Sequence, residues 1–176
     1  MPSLQEKFGL TGAMISAVDL LKGLGVYAGL EPLSIPGATG YLDTNYAGKV
    51  DAALRALEAG DLIYVHIEAP DEASHEGSLE KKLEAIEAFD EKVIGPLVEG
   101  SGRFPKVRMM VVTDHLTPIK VRTHVADPVP FLIYQKGKNR TSGVDGYDEF
   151  QAQLTGVFID SGPALMELFI REAAAP

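Results

Sequence analysis

Apolar positions fall along this chain in two distinct periods. Short, nearly unbroken apolar runs recur at "GAMIS" (12–16), "LEPLSI" (30–35), "LIYVHIEA" (62–69), "KVRMMVVTD" (106–114) and "VPFLIYQKG" (129–137). Runs of that length read as strands covered on both faces. Helical spacing fills the intervals. "AVDLLKGLGVYAG" predicts a helix broken at Gly23 and Gly25. "GATG" is a turn, and Thr44 or Asn45 can cap the helix "YAGKVDAALRALEAG", which Gly60 ends. The clearest helix runs from about Ser78 to Val98, with Leu79, Leu83, Ile86, Val93 and Leu97 on one face. Asp90 falls in the middle of that face, which predicts a buried, hydrogen-bonded carboxyl. "KGKNRTSGVDGYDE" reads as a polar surface loop, and short helices near 148–154 and 163–174 close the chain.

Buried strands alternating with amphipathic helices predict an α/β fold, a mostly parallel sheet sandwiched by helices. Strands near 62–68, 107–113 and 131–135 are expected in that sheet, with the helix 78–98 on one of its faces. A length of 176 residues fits a single domain over 1–176. In such sheets ligands gather beyond the carboxyl ends of the strands.

Composition narrows the function classes. The net charge of −9 argues against nucleic-acid and anionic-membrane partners, which need a basic surface. No apolar window approaches the length of a bilayer span, and "MPSLQEKFGL" lacks the basic flank and apolar core of a secretory signal. The chain has no cysteine, so disulfides, thiolate metal sites and a cysteine nucleophile are excluded. A cytoplasmic location fits that composition.

The candidate chemistry lies at the strand ends. "EAPDEASHEG" places Asp71 and His75 after the strand at 62–69, and "TDH" places Asp114 and His115 after the strand at 107–113. "RTHVADPVP" sets His124 just before the next strand. Three of the four histidines thus stand in loops beside strand ends. Three imidazoles and two carboxylates suit Zn²⁺, Mn²⁺, Co²⁺ or Fe²⁺. Each of these residues is common in loops by itself, and it is the set of five that points to a metal. His66, inside its strand, reads as a hydrogen-bonded core histidine. Lys120 and Arg122 read as solvated loop charges, and nothing around Ser74 forms a nucleophile elbow. The chain has no P-loop, no G-x-G-x-x-G after a strand, no G-x-S-x-G and no H-E-x-x-H.

"GAMISAVDLLKGLGVYAGL", "GATGYLDTNYAGK", "VHIEAPDEASHEG", "AIEAFDEKV", "TDH" and "THVADPVP" together resemble the archaeal-type branch of the cofactor-independent phosphoglycerate mutases, within the alkaline phosphatase superfamily. The resemblance covers nearly the whole chain. It implies an alkaline-phosphatase-like core, present in part, and an isomerase of glycolysis that interconverts 2- and 3-phosphoglycerate through a phosphoserine. It implies two divalent ions, Mn²⁺, Zn²⁺, Co²⁺ or Mg²⁺, in the complete enzyme. Asp71, His75 and His124 would bind one, and Asp114 and His115 the other. Lys22 matches a family lysine near the phosphate, while Thr39 and Gly40 shape a turn.

The family's opening Asp-Gly segment, its nucleophilic serine and its inserted substrate domain have no counterpart here. The chain is therefore expected to be the carboxyl-terminal portion of the catalytic domain, to hold one ion well and to be inactive alone. A missing part of the sheet implies an exposed edge through which copies could self-associate. Two further readings follow from the same residues: another phosphomutase or phosphatase of that superfamily, or a non-catalytic metal-binding remnant.

Overall fold

The computed structural model describes residues 2–138 and 141–171. They group into two compact units. The first runs through Arg103 and takes in Thr117–Thr123; the second holds Phe104–Leu116 and the described residues from His124 onward.

The first unit is built on a parallel sheet. Its elements are α1 (Leu4–Phe8), β1 (Gly12–Ile15), α2 (Asp19–Tyr27), β2 (Glu31–Pro32), α3 (Tyr46–Ala59), β3 (Leu62–Val65), α4 (Ala69–Glu76) and α5 (Leu79–Phe89). A π-helical turn at Asp90–Ile94 and α6 (Gly95–Gly100) continue the run of α5. The strand order is β2-β1-β3, with both pairings parallel and Gly12 opposite Leu62. A side chain at Gly12 would overlap the Leu62 carbonyl, so only glycine lets the two strands start this close.

The α3 helix follows from its sequence. The Asn45 side chain accepts from the Gly48 N–H, good helix formers fill the body, and Gly60 ends it. One stripe of α3 packs Ala52 and Ala53 against Ile15, Ile63 and Val65 of the sheet. A neighbouring stripe packs Tyr46 and Val50 against Ala88 and Val93. The α/β class with a parallel sheet and covering helices is thus as the apolar periods predict.

Four local expectations change. First, α2 runs unbroken through Gly23 and Gly25. Gly25 is buried against Met14, where a side chain would collide with the sulfur, so this glycine brings α2 close to β1 rather than breaking the helix. Second, the strand expected over 30–35 pairs only at Glu31 and Pro32. Pro32 has no N–H to give a ladder, which suits an edge strand and ends it early.

Third, the helix 78–98 buries a different face. Leu79, Leu83 and Ile86 are 61%, 51% and 47% exposed, whereas Ala85, Ala88 and Val93 are buried. Small alanines allow close approach, and the π turn shifts the phase of the helix so that Val93 rotates inward. Asp90, at the start of that turn, is exposed and not buried. Fourth, Asp71 and His75 do not lie in a loop. They sit on α4, which begins with Ala69–Pro70 and is closed by Gly77 in the left-handed conformation at φ 76°.

The second unit holds β4 (Arg108–Val112), β5 (Phe131–Gln135), α7 (Glu149–Leu154) and α8 (Gly162–Arg171). The two strands pair antiparallel, with Arg108 opposite Gln135 and Val112 opposite Phe131. They were expected beside 62–68 in one parallel-rich sheet. Residues 113–130 contain no helix to serve as a crossover, so the chain folds back on itself and the return strand is antiparallel. A further antiparallel bridge joins Leu116 to Val125. The Arg108 guanidinium donates to the Phe169 carbonyl and lies 5.6 Å from the Phe169 ring centre, tying α8 to β4. Asn139, Arg140 and the last part of the expected 163–174 helix fall outside the described residues. Among the described residues no helix is long and apolar enough to cross a membrane.

Candidate metal centre

In the first unit the site is organised by α4. Asp71 in its first turn and His75 in its last lie four residues apart on one face, with Nε2 of His75 3.3 Å from Oδ2 of Asp71. The loop 117–123 fixes both side chains. The Thr117 hydroxyl donates to Oδ1 of Asp71, and the Lys82 ammonium of α5 holds the Thr117 carbonyl at 3.0 Å. Nδ1 of His75 lies 2.9 Å from the Arg122 carbonyl oxygen. A carbonyl can only accept, so Nδ1 carries a proton and donates it there, and Nε2 is turned towards Asp71.

Arg122 has the left-handed φ of 57°, the only non-glycine residue so found among those described. Its side chain packs directly on Gly77, where an added Cβ would overlap the guanidinium. Sequence reasoning missed this loop. Its role rests on a backbone carbonyl and a threonine, residues without a motif of their own.

In the second unit Asp114, His115 and His124 come together. Nε2 of His115 is 3.3 Å from Oδ2 of Asp114, and the Asp114 carboxylate also accepts from the His115 backbone N–H at 3.0 Å. The rings of His115 and His124 stack with centroids 3.5 Å apart. The Leu116–Val125 bridge holds the two histidines side by side, one on each arm.

The remaining candidates lie apart from these groups. Lys22 pairs with Asp19, one turn earlier on α2, at 3.0 Å. Ser74 is fully buried and donates to the Pro70 carbonyl at 2.6 Å, a bond that occupies its hydroxyl. His66 follows β3, with Nδ1 3.4 Å from Oγ of Ser16. Thr39 is a turn residue: its hydroxyl donates to Asp43 at 2.7 Å and its N–H to Thr44 at 2.9 Å. Lys120 is exposed.

One ionisable group stands out that the sequence did not announce. Lys49 of α3 is 1% exposed, and burial pulls its pKa down against the opposing charge of Glu68.

A parallel α/β unit carrying an Asp–His pair beyond a strand, and a second unit carrying an Asp–His–His group, offer the nitrogen and oxygen donors that metalloproteins use. The chain belongs to the Metalloenzyme superfamily, whose family model matches residues 1–173. Membership implies a divalent metal site.

Within that superfamily the chain is 54% identical over 171 residues to the 2,3-bisphosphoglycerate-independent phosphoglycerate mutase of Methanothrix thermoacetophila. The match takes in 97% of this chain and 43% of that protein. The expected resemblance therefore holds, and the chain spans under half the length of the curated relatives it matches. A solved protein structure from Pyrococcus horikoshii superposes on 98% of the chain with a TM-score of 0.84 at 25% identity, over 51% of that protein. The cofactor-independent phosphoglycerate mutase of Thermoplasma acidophilum shares the fold, with a TM-score of 0.64 at 22% identity over 98% of this chain and 39% of that one.

Proposed function

We propose that this chain supplies the metal-ligand portion of the catalytic domain of a 2,3-bisphosphoglycerate-independent phosphoglycerate mutase. The complete protein would be a cytoplasmic glycolytic isomerase acting on phosphoglycerate through a phosphoserine. The relatives' names and the donor set support this reading.

The residues fit a divalent ion. With Nδ1–H of His75 committed to the Arg122 carbonyl, Nε2 and Oδ2 of Asp71 converge to 3.3 Å from one face of α4. An imidazole nitrogen and a carboxylate oxygen aimed at one point are donors of the kind a divalent ion takes. That is the observation carrying the proposal. A histidine whose other nitrogen donates to a carbonyl is also the usual arrangement for a metal ligand. The set has nitrogen and oxygen donors and no thiolate, which suits Mn²⁺, Zn²⁺, Co²⁺ or Mg²⁺.

The assignment is Asp71, His75 and His124 to one ion and Asp114 and His115 to a second. The resemblance to the relatives and the chemistry of the donors support it. The Arg122 carbonyl and the Thr117 hydroxyl hold the two α4 ligands in a fixed tautomer and orientation. When bound, the ions would lower a nucleophile's pKa and neutralise a transferring phosphoryl group. No serine of the described site is placed as that nucleophile, so the chain alone is expected to show no mutase turnover.

Titration with Zn²⁺ or Mn²⁺ tests the reading. One stronger binding event is expected, lost in His75→Ala and His124→Ala and less affected in Asp114→Ala. Absence of binding by the chain, or phosphoglycerate mutase turnover without further residues, would overturn it.

A further inference from the structure

We propose that Lys49 is a positioning residue, which through Glu68 and the Thr39–Gly40 turn sets the start of α4 and so the placement of Asp71 and His75. Lys49 projects from the buried face of α3, between Tyr46, Val50 and Ala53, and is among the largest side chains fully removed from solvent. A buried ammonium is costly without partners. Its Nζ reaches the Thr39 carbonyl at 3.4 Å, and Glu68 is close enough to act on its charge.

Glu68 is the residue from which α4 springs. Its carbonyl accepts the N–H groups of Asp71 at 2.9 Å and Glu72 at 3.2 Å. Its carboxylate lies against Gly40, at a spot where any side chain on that glycine would overlap it. The Thr39–Gly40 turn is therefore bracketed by a buried cation on one side and a carboxylate on the other. The side chains that bracket it belong to α3 and to Glu68, the capping residue just before the ligand helix. An apolar residue would fill the Lys49 site at lower desolvation cost. A lysine there is accounted for if its charge holds Glu68, three residues before Asp71, in one place.

Three variants of the whole chain test this: Lys49→Met, Lys49→Met with Glu68→Gln, and Gly40→Ala. Hydrogen exchange and Zn²⁺ affinity are the readouts. The affinity arm rests on the metal reading above; the exchange arm does not. Lys49→Met should raise exchange of the α4 amides from Glu72 to Glu76 at least tenfold, while the β1 and β3 amides keep wild-type protection. It should weaken Zn²⁺ binding by about 10- to 100-fold, the range for residues behind metal ligands. Removing the Glu68 charge as well should recover at least part of both losses, which a loss of packing alone would not do.

Gly40→Ala keeps Lys49 and displaces Glu68 directly, so it should reproduce the α4 signature even if Lys49→Met does not fold. Unchanged α4 exchange in a folded Lys49→Met chain or in Gly40→Ala would overturn the proposal. So would uniform loss of protection across the unit, or a double variant no better than the single. If the wild-type chain binds no Zn²⁺, the metal reading fails and the exchange results alone decide the role of Lys49.

Discussion

His75 donates from Nδ1 to the Arg122 carbonyl at 2.9 Å, 47 residues away in the chain. That one bond fixes the tautomer of the imidazole and turns Nε2 towards Asp71. The bond depends on the left-handed backbone of Arg122, which aims the carbonyl at α4.

Thr117 gives the cleanest test of how the carboxylate is held. Thr117→Val keeps the shape and removes the hydroxyl that donates to Asp71. Zn²⁺ or Mn²⁺ affinity should fall by about 10- to 100-fold, and Thr117→Ser should keep most of it. Equal affinities for the valine and serine variants in calorimetric titration would show that the hydroxyl does not orient the ligand.

Gly77 should be intolerant of any side chain. Its φ is 76°, and the Arg122 guanidinium occupies the place of a Cβ. Gly77→Ala is expected to cost about 1–2 kcal/mol from the left-handed backbone alone, with the overlap adding to it. In an Arg122→Gly background the cost should shrink to the backbone part. Urea midpoints of the four chains give both values.

Asp90 and Val93 should behave in opposite ways. Asp90 is exposed, so Asp90→Ala should leave the urea midpoint within about 0.5 kcal/mol of wild type. Val93 is 1% exposed, and Val93→Ala should cost about 2 kcal/mol through lost burial and the cavity left behind.

The acid limb of stability should include Asp61. Its carboxylate accepts from the Thr11 N–H and hydroxyl, both at 2.9 Å, joining the start of β1 to the start of β3. The Thr11 backbone bond is the main cause that holds its pKa below 3.8 in the folded chain. The unfolded chain binds the proton first as pH falls. The contribution is therefore present above the ordinary carboxylate value and is lost as pH drops through the lower folded value. Asp61→Asn should flatten this part of the curve in urea midpoints taken from pH 5 to pH 2. An acid limb of unchanged slope would show that the Thr11 bonds do not favour the ionised form.

The sequence was most legible where period and cap agreed. Asn45 and Gly60 bound α3 as expected, and the apolar runs locate all the main strands. It was least legible where one residue type serves two ends. Leu79, Leu83 and Ile86 have the spacing of a core face, yet Ala85 and Ala88 are buried, since small residues permit closer packing than large ones. Asp71 and His75 read as loop ligands, although Pro70, the first-turn acids and Gly77 spell a short helix. The antiparallel return of β5 depends on what residues 113–130 fail to form, and apolar period cannot show that. The hold on His75 was out of reach, because a backbone carbonyl leaves no trace in residue identity.

The loop Thr117–Thr123 belongs to the first unit, while the residues on either side of it belong to the second. The backbone therefore passes from one unit to the other three times. No single cut can yield both units whole: a break after Arg103 leaves the first without the loop that grips Asp71 and His75, and a break after Thr123 leaves residues 104–116 on the wrong piece. Residues 1–103 and 104–176 expressed separately should form the Asp71–Thr117 and His75–Arg122 bonds only when mixed. Limited proteolysis within 117–123 should release the ligand helix from its clamp before it dismantles either sheet.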